Sequence, residues 1–191
     1  MDTIQLYEFM ELLGRLKHQK RTGWVIKNVS NPETIAGHMY RMAMLSFLVD
    51  NEDNLDKVKI MQMTLIHDLA ECIVGDISPH CGVPREVKHK LEDEAMEEIC
   101  KLLGDKGPFI LEIFREYEKQ ESAEAKYVKD LDVLDLIMQA FEYEKRDNTP
   151  GKMEEFFVAT KGKILHPFIS KVALEIDERR KTFCDESTNT K

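Results

Sequence analysis

The stretch LIHDLAECIVGD, Leu65 to Asp76, sets a histidine and an aspartate side by side in an otherwise apolar run. A helix core excludes carboxylates unless each is paired or bound to a metal. Two more acids, Glu71 and Asp76, follow at once. On a helix, neighbouring side chains diverge by about 100°, so an ion shared by His67 and Asp68 would sit beside the helix, between their two directions. Glu71 lies at i+4 from His67 and i+3 from Asp68, which puts all three on one side. Asp76 follows Gly75, the helix-ending glycine, where a short loop turns it back toward the others.

One helix seldom encloses a metal, so further ligands must come from elsewhere. His38 is a candidate in ETIAGHMYRMAMLSF, beside Gly37, which lets a backbone or a ligand come close. The segment YVKDLDVLDLIMQ offers Asp130, Asp132 and Asp135. Asp132 stands among Leu131, Val133 and Leu134, where a carboxylate needs a partner, but spacing alone does not choose among the three.

The elements that must position these residues read as helices almost throughout. A first helix over Thr3–Lys17 places Ile4, Tyr7, Leu12 and Leu16 on one face. Gln19–Val29 follows, broken by Gly23, with Trp24 in a connector. SNPE at Ser30 predicts a capped helix start, running to about Val49. The next helix starts at Asp53 or Asn54, reaches about Val74 and contains His67 and Asp68. Gly75–Pro84 is a connector. Helices over Pro84–Leu103, Phe109–Lys119, Ser122–Arg146, Met153–Thr160 and Pro167–Thr182 complete the chain. The tail CDESTNTK, residues 184–191, has no apolar anchor and is expected to be disordered. The expected architecture is all-α, one domain over residues 1–183.

The chain has 191 residues, 42% hydrophobic and 33% charged, which is enough for a substantial core. A net charge of -9, with a pI near 5.2, disfavours broad binding to nucleic acid or anionic membrane. The four cysteines show no CxxC spacing and read as reduced thiols. With no signal-peptide core and no run of roughly 20 apolar residues, the expected location is cytoplasmic or nuclear.

The ordered set H…HD…D, formed by His38, His67-Asp68 and Asp132 in VKDLD, resembles the HD superfamily of metal-dependent phosphohydrolases. RLKHQKRTGWVIKNVSNPETIAGH and HDLAECIVGDI look like the 5′-deoxynucleotidases of the YfbR and HD-domain-containing-protein-2 type, over about Leu13 to Asp135. That family hydrolyses deoxyribonucleoside 5′-monophosphates to nucleoside and phosphate with a divalent metal, usually as a homodimer. The resemblance selects Asp132 and implies His38, His67, Asp68 and Asp132 as metal ligands. Two imidazoles and two carboxylates suit Mn²⁺, Co²⁺, Fe²⁺ or Ni²⁺, with Zn²⁺ admitted. Glu71 and Asp76 would then position or deprotonate the attacking water and assist the departing 5′-oxygen. Alternatively, they hold a second, harder cation such as Mg²⁺, with the Ile77 carbonyl. Arg21 matches the family's phosphate-contacting arginine, and Trp24 would pack against the sugar, disfavouring a 2′-hydroxyl.

Plainer readings compete. His67 and Asp68 could be a buried pair without metal, His38 a core histidine, Trp24 a core anchor, and Arg21 part of a solvated basic face with Lys17 and Lys20. LEDEAMEEICKLL reads as a solvated acidic face with a packing stripe, and His18, His80, His89 and His166 carry no role. Alarmone hydrolases carry HDxxED, where this chain has Cys72 for the second acid, and the GYP of cyclic-dinucleotide phosphodiesterases is absent. Besides the nucleotidase there remain a phosphohydrolase of another nucleotide or phosphoester, and a non-enzymatic helical interaction module stabilised by metal.

Overall fold

Asp2 opens the first helix, α1 (Thr3–Leu16), with a capping box. Its carboxylate accepts the Gln5 N–H at 2.8 Å, and the Gln5 side chain accepts the Asp2 N–H at 3.0 Å. The computed structural model describes residues 2–189, the side chains of Asn51, Thr188 and Asn189 excepted. Among them are ten α-helices, and the only β pairing is one isolated bridge, Lys20 with Thr34. The all-α expectation holds. The chain divides into two compact units, Met1–Ala125 and Lys126–Lys191.

The first unit contains α1, α2 (Thr22–Ile26), α3 (Ile35–Leu45), α4 (Lys57–Ile66), α5 (Glu71–Val74), α6 (Arg85–Leu102) and α7 (Gly107–Lys119). Here α3 packs on α4, α4 and α6 both pack on α7, and α1 and α6 cover α5. Trp24, Ile35, Met42, Ile60, Met63, Met96 and Ile99 are fully buried.

Several expectations change. Ile4 and Tyr7 are 69% and 61% exposed, so the outer end of α1 presents its apolar face uncovered. Gly23 does not break the chain: it sits inside α2 with Trp24, because its φ is not the positive one a stop would need. The cap of α3 is Thr34, whose hydroxyl accepts the Gly37 N–H at 3.1 Å, rather than Ser30. α4 starts after Asp56, which accepts the Val58 and Lys59 N–H groups. α4 also stops at Ile66 instead of running to Val74.

α8 (Ala123–Arg146) begins in the first unit and continues through the second, which also holds α9 (Glu154–Thr160) and α10 (Pro167–Asn189). Glu144, fully buried, accepts the Met153 N–H at 2.7 Å and two N–H groups of Arg180 at 2.8 and 2.9 Å. Arg180 also reaches Glu154 at 2.7 Å and lies 4.0 Å over the Phe157 ring. Asp130 accepts the Leu165 and His166 N–H groups just before α10, so it is a structural acid. The expected disordered tail is corrected: α10 continues through Asn189, with the Ser187 hydroxyl bonding the Phe183 carbonyl. Residues 190–191 lie outside the described residues.

Glu144→Ala removes the buried one of Arg180's two carboxylate partners and is expected to cost about 3–5 kcal/mol of stability, read as a lowered midpoint in urea unfolding.

Candidate metal centre

The ladder of α4 changes where the HD dipeptide begins. His67 N–H still bonds to Met63 O, but Leu69, Glu71, Cys72 and Ile73 bond to carbonyls three residues back. This tightening winds the chain toward three residues per turn, where side chains at i and i+3 eclipse. Asp68 and Glu71 are therefore stacked rather than merely on one side. Gly75, at φ 82°, then ends α5 and turns the chain toward Asp76.

His67 is 4% exposed, and its Nδ1 lies 2.9 Å from the Thr64 carbonyl oxygen. A carbonyl only accepts, so Nδ1 carries a proton and holds the ring with Nε2 turned toward Asp68. Buried Nε2 has no hydrogen-bond partner, which is the condition of a ligand nitrogen oriented by its other ring atom. His38, fully buried on α3, meets the His67 ring edge-on at 5.4 Å between centroids. Both face one oxygen: Asp68 Oδ2 lies 3.3 Å from His67 Nε2 and 3.7 Å from His38 Nε2. Arg21 Nη1 donates to that same oxygen at 3.3 Å.

Burial works against charge on Asp68, but the imidazoles of His67 and His38 and the Arg21 guanidinium overcome it. They hold its carboxyl well below the usual carboxylate range. Glu71 behaves oppositely. Burial, then the charges of Asp68 and Asp76, raise it well above its ordinary value, against Arg21 and Lys88. Its Oε2 is buried and has no hydrogen-bond partner. Carboxyl groups one tight turn apart are thus pushed in opposite directions.

Asp76 is held through α2. Its Oδ2 accepts the Thr22 N–H at 2.6 Å, and its carbonyl accepts the Thr22 hydroxyl at 2.8 Å. With its amide oriented to satisfy both neighbours, Gln19 donates to the Glu71 carbonyl at 3.1 Å and accepts the Asp76 N–H at 3.0 Å. Ile77 follows, half-buried, in the connector. Arg21 precedes α2 as its N-cap residue, and its N–H bonds the Glu33 carbonyl at 3.2 Å. Trp24 is 1% exposed, and its indole N–H donates to Glu33 at 2.8 Å. That carboxylate also stands 3.9 Å from Arg21 Nε, so Trp24 anchors the wall behind Arg21. Behind Glu71, Cys72 is buried, its carbonyl accepts from Arg15 at 3.3 Å, and burial pushes its thiol up to about 11.

The first unit therefore brings together His38, His67, Asp68, Glu71, Asp76 and Arg21. Asp132 lies in the second unit, on α8, where Lys129 pairs with it at 2.7 Å. Sequence reading missed Gln19, Thr22, Thr64 and Glu33 as supports. Only Glu33 carried a signal, and it pointed to a capping box instead. The donor set of nitrogen lone pair, second imidazole and charged carboxylate fits a borderline divalent cation.

An all-α chain with this histidine–aspartate centre agrees with the family comparison: residues 13–173 match the model of the HD domain. The chain belongs to the HD-domain family. It is similar to 5′-deoxynucleotidase HDDC2 of Bos taurus, 47% identical over 176 residues that cover 92% of this chain and 85% of that protein. The protein of the same name from Homo sapiens is 45% identical, over 93% of this chain and 87% of its own length. Among solved structures, a conserved hypothetical protein from Pyrococcus furiosus superposes with TM-score 0.73 at 32% identity, over 92% of this chain and 99% of that one. The HD domain-containing protein YGK1 does so with TM-score 0.71 at 27% identity, over 95% and 88%.

A raised carboxyl favours the folded state fully only below its unfolded pKa, and that advantage is lost as pH rises through the folded value. Metal-stripped Glu71→Gln is therefore expected to melt higher than the wild type at pH 8. The gap should close as pH falls toward about 4.5, the ordinary glutamate range, and thermal melts in chelator across pH would measure it.

Proposed function

We propose that the chain is a divalent-metal-dependent 5′-deoxynucleotidase, a phosphoric monoester hydrolase that converts deoxyribonucleoside 5′-monophosphates to deoxyribonucleoside and phosphate. The observation that carries this reading is the convergence of His38, His67 and Arg21 on Asp68 Oδ2, in an HD-domain chain whose relatives bear that name. His38, His67 and Asp68 would hold the ion, with Asp132 of α8 as fourth ligand in the H…HD…D order. Mn²⁺ or Co²⁺ suits that set; in the alternative to acid–base roles for Glu71 and Asp76, these two and the Ile77 carbonyl would form an oxygen-only site for Mg²⁺. When bound, such an ion supplies Lewis acidity to a phosphate oxygen and to water.

The chain's own groups divide the remaining work. Arg21, the cation already aimed at Asp68 Oδ2, turns its planar fork to the phosphate dianion when the ion takes that oxygen. Glu71, whose carboxyl is pushed up by burial, would give a proton to the departing 5′-oxygen. Asp76, clamped by Thr22 and Gln19, accepts the proton of the attacking water. Trp24 backs Arg21 and sets the closeness of the sugar wall, which disfavours a 2′-hydroxyl.

A homodimer fits the apolar surface that α3 and the turn after it leave open. Tyr40 and Phe47 are both 66% exposed and Leu48 is 61% exposed, an unusual density for a monomer's face. No described helix is long and apolar enough to cross a membrane, and all four cysteines are free thiols. We place the protein in the cytoplasm, a reducing compartment.

The deciding assay is phosphate release from deoxy- and ribonucleoside 5′-monophosphates after metal stripping and addition of Mn²⁺, Co²⁺ or Mg²⁺. Release from the deoxy series, abolished by chelator and by His67→Ala, is the expected result. Silence across the panel with metal bound moves the reading to another phosphoester, and apo protein with unchanged melting in chelator moves it to an interaction module. Arg21→Lys should raise KM several-fold more than it lowers kcat. Trp24→Ala would cost about 3–5 kcal/mol of core packing, so sugar preference is tested with Trp24→Phe; an unchanged deoxy-to-ribo ratio there removes Trp24 from specificity.

A further inference from the structure

Sharing no residue with the HD centre, the packed helices α6 and α7 hold a second set of donor atoms. His89 and Glu92 stand at i and i+3 on α6, and Glu118 faces them from α7. One ligand atom from each lies within 4.8 Å of the others. Sequence reading assigned His89 no role and treated this acidic helix as solvated. The structure corrects the second point, since the Glu92 side chain is 9% exposed.

The set is short of positive charge. Lys88 Nζ is 3.5 Å from Glu92 Oε1. Even so, burial, with Glu118 and Asp68 adding to it against Lys88, pushes the Glu92 carboxyl up to about 7. Glu118 Oε2 is buried, touches His89 Nδ1 and has no other polar partner. Arg85 Nε donates to His89 Nε2 at 2.9 Å, which leaves the imidazole proton on Nδ1, pointing at Glu118. The Glu92 carboxyl and the Glu118 oxygen are thus bridged only by one neutral ring.

We propose that His89, Glu92 and Glu118 form a divalent-cation site, separate from the HD centre, that takes Zn²⁺. One imidazole and two carboxylates, with water in the remaining position, form a nitrogen–oxygen set of the kind zinc accepts. Drawing the donors to tetrahedral separations of about 3.3 Å, set by zinc–ligand distances near 2 Å, needs only side-chain movement on two packed helices. Binding moves the single proton of the ring from Nδ1 to Nε2 with no net loss, and exposed Arg85 swings away to make room for it. The charged groups acting on Glu92 are Lys88 on its own helix, Glu118 on α7 and Asp68 of the HD centre, with His89 beside it on α6.

The test is the number of Zn²⁺ ions retained per full-length chain after dialysis, measured by elemental analysis, with the zinc-induced melting shift alongside. Wild type is expected to retain one more ion than Glu118→Gln or His89→Ala. Both variants should release phosphate at the wild-type rate when the catalytic cation is supplied. His67→Ala should lose a different ion, so the losses add in the His67→Ala, Glu118→Gln double variant. Equal zinc content and equal melting shifts in wild type, Glu118→Gln and His89→Ala overturn the site and leave the cluster to protons and ion pairs. That outcome would not touch the HD centre, whose reading fails only in the phosphate assay.

Discussion

A carboxylate oxygen taken out of water must be surrounded by positive charge or give up its own, and Asp68 keeps its charge. Everything near it follows from that constraint. Two imidazoles and a guanidinium from three elements converge on Oδ2, at 3.3, 3.7 and 3.3 Å. Arg21 can reach it only because α2 begins where it does. α2 begins there because Asp76 takes the Thr22 N–H and Glu33 takes the Trp24 indole. An apolar residue at position 68 would leave each of these contacts without a purpose.

The neighbouring turn produces two carboxyl groups of opposite character. Asp68 has cations beside it and its carboxyl is held down; Glu71, stacked one tight turn away, has Asp68 and Asp76 beside it and its carboxyl is pushed up. Catalysis by a hydrolase needs both a charged ligand and a proton donor, and environments that push two carboxyl pKa values apart are how one site provides them. The cost is borne by the fold, since a neutral acid with an unpartnered oxygen is a destabilised group.

Much of this was legible in the residues. The helix order follows from apolar period and from Gly and Pro, and His38, His67 and Asp68 stand out because polar groups in apolar runs need partners. The tightened turn after Ile66 was not legible, because a run of i→i+3 bonds leaves no mark on a helical pattern. Trp24 was misplaced because Gly23 signals a break by composition while its backbone is helical. Gln19 and Thr22 escaped because their partners lie more than fifty positions along the chain. Burial of Glu92 escaped too: an acidic helix is read by average, and one carboxyl turned inward does not change the average.

Cys72 sits next to Glu71, and as a thiolate it would be the softest donor near the centre. Burial denies it that form, with its thiol pushed up to about 11. At neutral pH it stays an S–H group, a poor metal ligand and a poor nucleophile. The centre is thereby confined to nitrogen and oxygen donors, which biases it away from monovalent copper and other thiophilic ions. The same burial shields the sulfur from peroxide. The hydrophobic packing under α5 thus acts as a chemical filter, deciding which ions and oxidants the site responds to without touching any of them.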